Sequence, residues 1–242
     1  MSNLPTLFLD FDDTLVDSAE HAKQYVGELS AVLASAHGIG SSIWEPIVGR
    51  ELVAFKKAYT ETFNADNLTG FTEWMDQERV KATKKIFFAV DVALPTDDDI
   101  LEFARRIQFD ALCGCNASFD GVYDALLALF DAEVRMNIAS ANESAYLLAA
   151  LVGAGIESFT ESKFGPDLID CVKESVKYYE VMFDFLKIDP KDVVVLDDQV
   201  ECLEWASSLG AKVIQSDLLG RGGDSRFPQL TNFSQLPVLV LG

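Results

Sequence analysis

The sequence predicts an α/β protein in which a Rossmann-like core of parallel strands carries an inserted, all-helical domain. Short runs that are apolar throughout are typical of strands buried on both faces of a parallel sheet. Such runs alternate with helical patterns at the start of the chain and again from residue 117 onward, whereas residues 17–116 carry helical patterns alone. Alternating strands and helices favour a parallel sheet covered by helices, and the change of pattern favours a separate unit inserted into it.

Four apolar runs predict the strands of the core, and helical patterns follow them. The predicted strands are Thr6–Asp10, Val134–Ala139, Val193–Leu196 and Lys212–Gln215. The predicted core helices are Gly121–Ala132, Glu143–Gly155, Glu174–Lys187 and Gln199–Leu209. This order places the core in residues 1–16 and 117–242.

The insertion, residues 17–116, is predicted to be a helical cap. Its predicted helices are Ser18–Ala36, Ser42–Phe63, Thr72–Val92 and Asp97–Phe109. They are separated by the helix breakers Gly38-Ile39-Gly40, residues 67–70 and Pro95. A module inserted beside the end of the first strand could serve as a lid over a site there.

Composition and charge limit the classes of partner. The chain has 242 residues, of which 49% are hydrophobic, and is long enough to bury a full core. It carries 19 basic and 39 acidic residues, a net charge of −20, which argues against nucleic acid and anionic membranes as partners. A small phosphorylated metabolite stays compatible with this charge because a local cation can reverse the field.

The cysteines and the apolar stretches indicate a reduced, cytoplasmic protein. The 4 cysteines are scattered, so no disulfide framework is expected, and Cys113 and Cys115 lack the second pair that a zinc site needs. The first residues show no secretory signal pattern. The richest apolar stretch, residues 145–156, is too short to span a bilayer.

Reactive side chains gather at the predicted carboxyl ends of the strands. They are Asp10, Asp12, Thr14, Ser140, Asp197 and Asp198, and Lys173 is predicted to open the helix between the last two of these ends. Each alone would be ordinary, since Asp and Ser commonly cap helices or begin turns. Strand ends of a parallel sheet meet at one edge, however, so these groups are expected together. Because two carboxylates 4 Å apart repel by about 4 kcal/mol near a protein surface, the cluster indicates a metal site, a phosphate site, or both.

In this order the residues resemble the motifs of the haloacid dehalogenase superfamily, in its phosphatase branch. Residues 7–14, Leu-Phe-Leu-Asp-Phe-Asp-Asp-Thr, resemble its first motif, an apolar strand followed by Asp-x-Asp-x-Thr. Ser140, followed by Ala141-Asn142, resembles the second motif. The pair Asp197-Asp198 resembles the fourth. The resemblance extends over the whole chain.

The third motif of the superfamily is a lysine, and the sequence offers Lys173 and Lys177. In the superfamily an aromatic residue follows this lysine by six positions, and an Asp-Pro turn follows later. Counting from Lys173 leads to Tyr179 and then to Asp189-Pro190, and residues 164–168, Phe-Gly-Pro-Asp-Leu, resemble the segment that precedes this lysine in the superfamily. Lys173 is therefore the predicted motif residue and Lys177 the alternative.

The resemblance implies a Mg²⁺-dependent phosphatase that acts on a small soluble phosphomonoester. It implies that Asp10 attacks the phosphoryl group to form an aspartyl-phosphate, and that Asp12 is the general acid and base. The phosphate-binding residues that it implies are Thr14, Ser140, Ala141 and Lys173. The Mg²⁺ ligands that it implies are Asp10, the backbone carbonyl of Asp12, and Asp198 or Asp197. The halide-displacing branch lacks the second aspartate, so Asp12 favours phosphoryl transfer.

Two alternatives remain on this fold: a phosphomutase acting on a sugar phosphate, and a non-catalytic protein that binds a phospholigand. Arg50 lies in a segment that resembles a cap turn facing the active site, and it could read a second anionic group of the substrate. An arginine on a helix surface is an equal expectation. His21 is expected to be an exposed helix residue, and the lysines of the cap, Lys56 among them, are expected on solvated faces.

Overall fold

The computed structural model describes residues 4–94 and 99–242, and a parallel sheet forms its centre. Its strands are β1 (Thr6–Leu9), β2 (Met136–Ala139), β3 (Lys163–Phe164), β4 (Val193–Asp197), β5 (Lys212–Ser216) and β6 (Gln229–Leu230). They form a six-stranded sheet in the order β3-β2-β1-β4-β5-β6, and each neighbouring pair is parallel. The predicted α/β fold with a parallel sheet is confirmed. The edge strands β3 and β6 were not predicted.

In the described residues, four helices lie between β1 and the rest of the core, and we call them the helical insertion. They are α1 (Ser18–His37), α2 (Ser41–Thr62), α3 (Phe71–Ala89) and α4 (Ile100–Cys113). The side chain of Asp17 caps the first turn of α1, and Gly38 ends that helix with a φ of 68°. The predicted start of the fourth helix at Asp97, and the breaker Pro95, lie outside the described residues.

Helix α4 ends one turn later than predicted, at Cys113 rather than Phe109. Its last turn carries Ala111 and Leu112, which are fully buried. Leu112 packs in the main core cluster together with residues of β1 and β2. The buried residues Ile100, Ala104, Ile107 and Ala111 keep a helical spacing through this last turn, so the predicted end at Phe109 was too early.

The core helices follow in alternation with the strands. They are α5 (Val122–Asp131), α6 (Ser144–Gly153), α7 (Pro166–Ile169), α8 (Val176–Leu186), α9 (Val200–Ser208) and α10 (Leu236–Leu241). Within residues 4–94 and 99–242, no helix is both long and apolar enough to cross a membrane.

Both faces of β1 are buried, and this explains its uninterrupted apolar sequence. Leu7 and Leu9 pack in one core cluster, while Phe8 packs in a second cluster on the opposite face. β1 lies between β2 and β4, so β2 and β3 extend the sheet on one side of β1 and β4, β5 and β6 extend it on the other. In sheets of this kind the crevice at the carboxyl end of such a strand is the usual ligand site.

The helical insertion has an apolar cluster of its own and a second one that it shares with the core. The first includes Leu33, Trp44 and Phe87. The second joins Phe63, Phe71 and Met75 to Val172, which lies directly before Lys173. The insertion therefore packs onto the part of the core that carries the predicted motif lysine.

Candidate active site

The loop after β1 is held in a tight turn by its own backbone. The amide of Asp10 donates to the carbonyl of Leu196, and the amides of Leu15 and Val16 both donate to the carbonyl of Phe11. Asp13 has a φ of 55°, a left-handed conformation that Asp adopts more readily than most residues. The amide of Ser18 donates to Asp13 Oδ1 at 3.0 Å, which ties the turn to the start of α1.

Lys173 lies at the centre of the site. Its Nζ donates to Asp10 Oδ1 at 2.7 Å and to the carbonyl of Ala139 at 2.9 Å, and it lies 2.7 Å from Asp197 Oδ2. Its side chain is only 4% exposed. Lys177, in contrast, is exposed and pairs with Glu180 on the surface of α8. The structure thus brings Lys173, and not Lys177, to the strand ends.

The site carries more negative than positive charge. Burial lowers the pKa of Lys173, but Asp10 and Asp197 outweigh that effect and hold this pKa well above its usual value, so the lysine is charged. Burial raises the pKa of the Asp10 carboxyl, and Lys173 counteracts it. Burial, reinforced by Asp197 and Asp13, raises the pKa of Asp198 to about 7. Lys173 and Arg221, whose guanidinium lies 3.9 Å from Asp198 Oδ2 and 2.8 Å from Asp13 Oδ2, leave part of this negative charge unbalanced, and a divalent cation would offset it.

A group of carboxylate oxygens is arranged as a cation would require. Asp10, Asp197 and Asp198 each offer one oxygen, and these oxygens lie within 4.8 Å of one another. Oxygen ligands of this kind suit Mg²⁺. Asp197 is already engaged, because Oδ1 accepts from the amide of Gln199 at 2.9 Å and Oδ2 accepts from Tyr179 at 3.3 Å as well as facing Lys173. Oδ1 of Asp198 is buried and has no partner among the described residues.

The hydroxyl groups expected to bind phosphate lie at the same edge. Ser140 is 1% exposed, and its Oγ accepts from the backbone amide of Asn142 at 3.2 Å. The side-chain amide of Asn142 also donates to Asp12 Oδ2 at 2.7 Å, linking the first and second motifs. Thr14 is fully buried, and its Oγ1 has no partner among the described residues. Burial raises the pKa of Asp12, and the hydrogen bond from Asn142 opposes that rise.

The loop that carries Ser140 is supported by the next strand and helix. Asp167 Oδ1 accepts from the amide of Ser144 at 2.8 Å and from its hydroxyl at 2.9 Å. A Cβ atom on Gly165 would overlap the carbonyl of Asn142 and the amide of Ser144. Only glycine therefore lets these two loops pack so closely.

A cavity of about 390 Å³ lies between this edge of the sheet and the helical insertion. Asp12 and residues 141–143 and 146 line it from the core, and residues of the insertion line the rest. Arg50 is not part of the lining. Its side chain is 62% exposed and pairs with Glu51, so its expected contact with substrate finds no support in its position.

His21 is a residue whose position the sequence did not reveal. The expectation that it is exposed is wrong: it is 2% exposed and lines the cavity together with Asp12. The Tyr146 hydroxyl lies 3.1 Å from its Nδ1, and its Nε2 has no partner among the described residues. Burial lowers the pKa of His21, which favours the neutral ring. One sequence feature could have indicated that His21 lies near the site. It stands in the first turns of the helix that directly follows the acidic motif.

Comparison with known families agrees with this geometry. Residues 4–210 match the family of haloacid dehalogenase-like hydrolases. The chain therefore belongs to this family of hydrolases, and the family recognised from the motifs is confirmed. A search of curated proteins finds no match.

Solved structures share the fold along the whole chain at low sequence identity. The L-2-haloacid dehalogenase Rha0230 has a TM-score of 0.65 and 16% identity, with 99% of this chain and 96% of that chain covered. The HAD hydrolase YfnB from Bacillus subtilis, solved with bound magnesium, has a TM-score of 0.65 and 12% identity, with 100% of both chains covered. A predicted phosphoglycolate phosphatase from Haemophilus somnus 129pt has a TM-score of 0.55 and 16% identity, with 99% of both chains covered. At these identities the likeness concerns the fold alone.

Proposed function

We propose that the protein is a Mg²⁺-dependent phosphatase that hydrolyses a small phosphomonoester through an aspartyl-phosphate. The observation that carries this proposal is Asp12, a second, largely buried carboxyl group beside the nucleophile Asp10. Displacing a halide releases a stable anion and needs no acid. Releasing an alcohol from phosphorus needs a proton for the leaving oxygen, which a carboxyl group of raised pKa can supply.

The two aspartates divide the reaction between them. Lys173 holds Oδ1 of Asp10, which leaves Oδ2 to attack. In the first step a bond forms between Asp10 Oδ2 and phosphorus, the ester P–O bond breaks, and the Asp12 proton passes to the leaving alcohol. In the second step water attacks phosphorus, its proton passes to Asp12, and the bond to Asp10 breaks. Inorganic phosphate leaves, and both carboxyl groups return to their first state.

The remaining motif residues stabilise the transferring phosphoryl group. The buried hydroxyl groups of Thr14 and Ser140 and the ammonium of Lys173 carry hydrogen-bond donors at the strand ends. Ala141, between Ser140 and Asn142, contributes its backbone. Donors fixed in a buried site are effective because they need not reorient as charge develops.

Asp10, Asp198 and the carbonyl of Asp12 are the groups that would hold Mg²⁺. The unpartnered Oδ1 of Asp198 supports this choice over Asp197, whose oxygens already hold Lys173, Tyr179 and the amide of Gln199. When bound, the ion supplies positive charge that offsets the phosphate and the excess carboxylates.

The expected cytoplasmic location stays a prediction, with which four free cysteines are compatible.

The test is a panel of phosphomonoesters together with 2-chloropropionate, assayed for free phosphate and free chloride. We expect phosphate release in Mg²⁺, none in EDTA, and none from D10N. The control variant is D131N, an exposed aspartate at the end of α5, which should behave as the unmodified protein. Chloride release without phosphate release would contradict the proposal and identify a dehalogenase.

A second arm of this experiment uses D12N and depends on the leaving group. We expect kcat/KM to fall by roughly 10²–10⁴ for an alkyl phosphate, because the alcohol then leaves without a proton. For p-nitrophenyl phosphate, whose leaving group is a stable anion, the loss should be much smaller. An equal loss for both substrates would contradict the role of Asp12 as the acid.

A further inference from the structure

The cavity beside Asp12 extends far beyond the space that a phosphate group needs. We call this cavity, of about 390 Å³, the chamber. From Asp12 it runs among all four helices of the insertion, into the interior of that bundle. Its lining there is mainly aliphatic and aromatic, and includes Leu33, Val48, Phe71, Met75, Ile86 and Ile107. A volume of this size lies within the range of about 300–1,000 Å³ that is usual for pockets holding organic ligands.

The charged groups inside the chamber already have partners. Arg79 pairs with Glu143, lies 3.1 Å from Asp76 Oδ1, and donates to Gln108 at 2.9 Å. The N–H donors of the Arg79 guanidinium are thus engaged by groups of the protein itself. Among the described residues, the lining therefore offers no buried cation that is free to receive a second anionic group of a ligand.

The other charges of the lining lead to the same conclusion. Glu51, which is 7% exposed, pairs with Arg50 at 3.1 Å and with Lys85 at 3.4 Å. Lys56 also belongs to the lining, but it is exposed to solvent. A carboxylate placed deep in the chamber would lose its water without gaining a cationic partner, which is costly.

We propose that the chamber binds the organic part of the substrate and that this part is apolar. The substrate is then a phosphomonoester of an alkyl or aryl alcohol, with its ester oxygen at Asp12 and its hydrocarbon body among the helices of the insertion. This inference rests on the proposed phosphatase function, because the position of the phosphate at the strand ends fixes which end of the ligand enters the chamber. Burial of hydrocarbon in the chamber supplies affinity that the phosphate alone does not.

The test measures binding rather than turnover. A series of alkylphosphonates from ethyl to decyl, whose P–C bond replaces the ester bond, is titrated by calorimetry into the protein with Mg²⁺. We expect affinity to rise by about threefold to fourfold for each added methylene until the chamber is full. Butylphosphonate should also bind more tightly than 3-phosphonopropionate, which carries a carboxylate in place of the chain end. An affinity that does not change with chain length would overturn the proposal.

Two variants on the same helix show where the chain binds. Val48 lines the chamber, whereas Val53 is 69% exposed and does not, and both lie in α2. V48F should remove the dependence on chain length, while V53F should preserve it. A dependence that survives in V48F with its full slope would overturn the proposed location.

The two proposals fail in different ways. Loss of the phosphatase proposal appears as absence of phosphate release in the substrate panel, while the phosphonate series still reports on the chamber. Loss of the chamber proposal appears as a flat series in a protein that releases phosphate from short or charged esters.

Discussion

Lys173 lies between two buried carboxylates, Asp10 and Asp197, each 2.7 Å from its Nζ. Replacing Lys173 with methionine removes the positive charge and leaves both carboxylates buried without a cationic partner. Removing one partner of a buried ion pair costs about 3–5 kcal/mol. We therefore expect K173M to lower the free energy of unfolding by about 3 kcal/mol in EDTA, measured by urea denaturation, and to abolish phosphate release.

The control for this variant is K177M, four positions along the chain. Lys177 is exposed and, within the described part of the chain, its side chain forms an ion pair with Glu180 alone, so the change should stay within about 0.5 kcal/mol. Mg²⁺ should restore part of the stability of K173M, because the carboxylates then regain a cation. Equal stability of K173M and K177M in EDTA would contradict the placement of Lys173 in the site.

At the scale of single residues, the sequence groups the candidate site residues where a motif fixes their spacing. Asp10, Asp12, Ser140 and Lys173 follow such motifs, and the structure brings them to one edge of the sheet. The sequence alone does not distinguish Asp197 from Asp198 as the metal ligand, because neighbouring residues at a strand end differ only in the side to which their side chains point. That choice depends on the hydrogen bonds that Tyr179 and the amide of Gln199 donate to the carboxylate of Asp197. The hydrogen bond from Tyr179 forms only in the folded chain.

At the scale of elements, two loops determine the position of Ser140. The loop after β2 carries Ser140 and Asn142, and the loop after β3 carries Gly165 and packs directly against it. We expect G165A to destabilise the protein by about 1–3 kcal/mol, since the added methyl group has no space. Because a misplacement of about 1 Å near the reacting atoms can cost a hundredfold in rate, phosphate release should fall by about tenfold or more.

The matched control is G27A, in the interior of α1, where an added Cβ meets no atom within 4 Å. This change should be neutral or stabilise the protein by up to about 1 kcal/mol, as alanine favours helix over glycine. Thermal unfolding and phosphate release of the two variants, measured side by side, check the prediction. Normal activity in G165A would show that the two loops move independently.

The sequence predicted β1, β2, β4 and β5 and the longer helices, but it missed the short helices α7 and α10 and the edge strands β3 and β6. β3 and β6 contain two residues each, too few for any alternation to be visible. They exist because a longer neighbour offers its free edge: β3 pairs with β2, and β6 pairs with β5. The end of α4 was placed too early, although Ala111 in its last turn continues the helical spacing of Ala104 and Ile107.

At the scale of the whole molecule, the insertion meets the core at residues far apart in the sequence. The amide of Val172 donates to the carbonyl of Leu68 at 2.8 Å, and the amide of Gly70 donates to Asp170 Oδ1 at 3.0 Å. No local pattern announces these contacts, because each joins segments about a hundred residues apart. The sequence predicts that an insertion exists and that it is helical. Which of its faces meets the core, and that a chamber results, depends on the packing of all its helices.

Arg79 connects the insertion to the core through Glu143, and it is buried. We expect R79M to weaken this connection, because Glu143 would keep a partly buried carboxylate without its partner. A hydrogen bond to a charged group contributes about 1.5–3 kcal/mol. The population of molecules in which this contact is open should therefore rise about tenfold or more. Hydrogen exchange of the amides of Val172 and Gly70 measures that opening directly, since both amides donate across the contact.

The control is R105M, since Arg105 pairs with Asp76 at 2.8 Å and both residues belong to the insertion. Like Arg79, it is an arginine that contacts Asp76, but it makes no ion pair with the core among the described residues. R105M should leave the exchange of Val172 and Gly70 unchanged. Faster exchange in R79M alone would show that the ion pair across the contact, and not the arginine cluster within the insertion, holds the two parts together. Equal exchange in both variants would assign that role to the apolar cluster around Val172, in which Phe63 and Phe71 pack against the core without any charge.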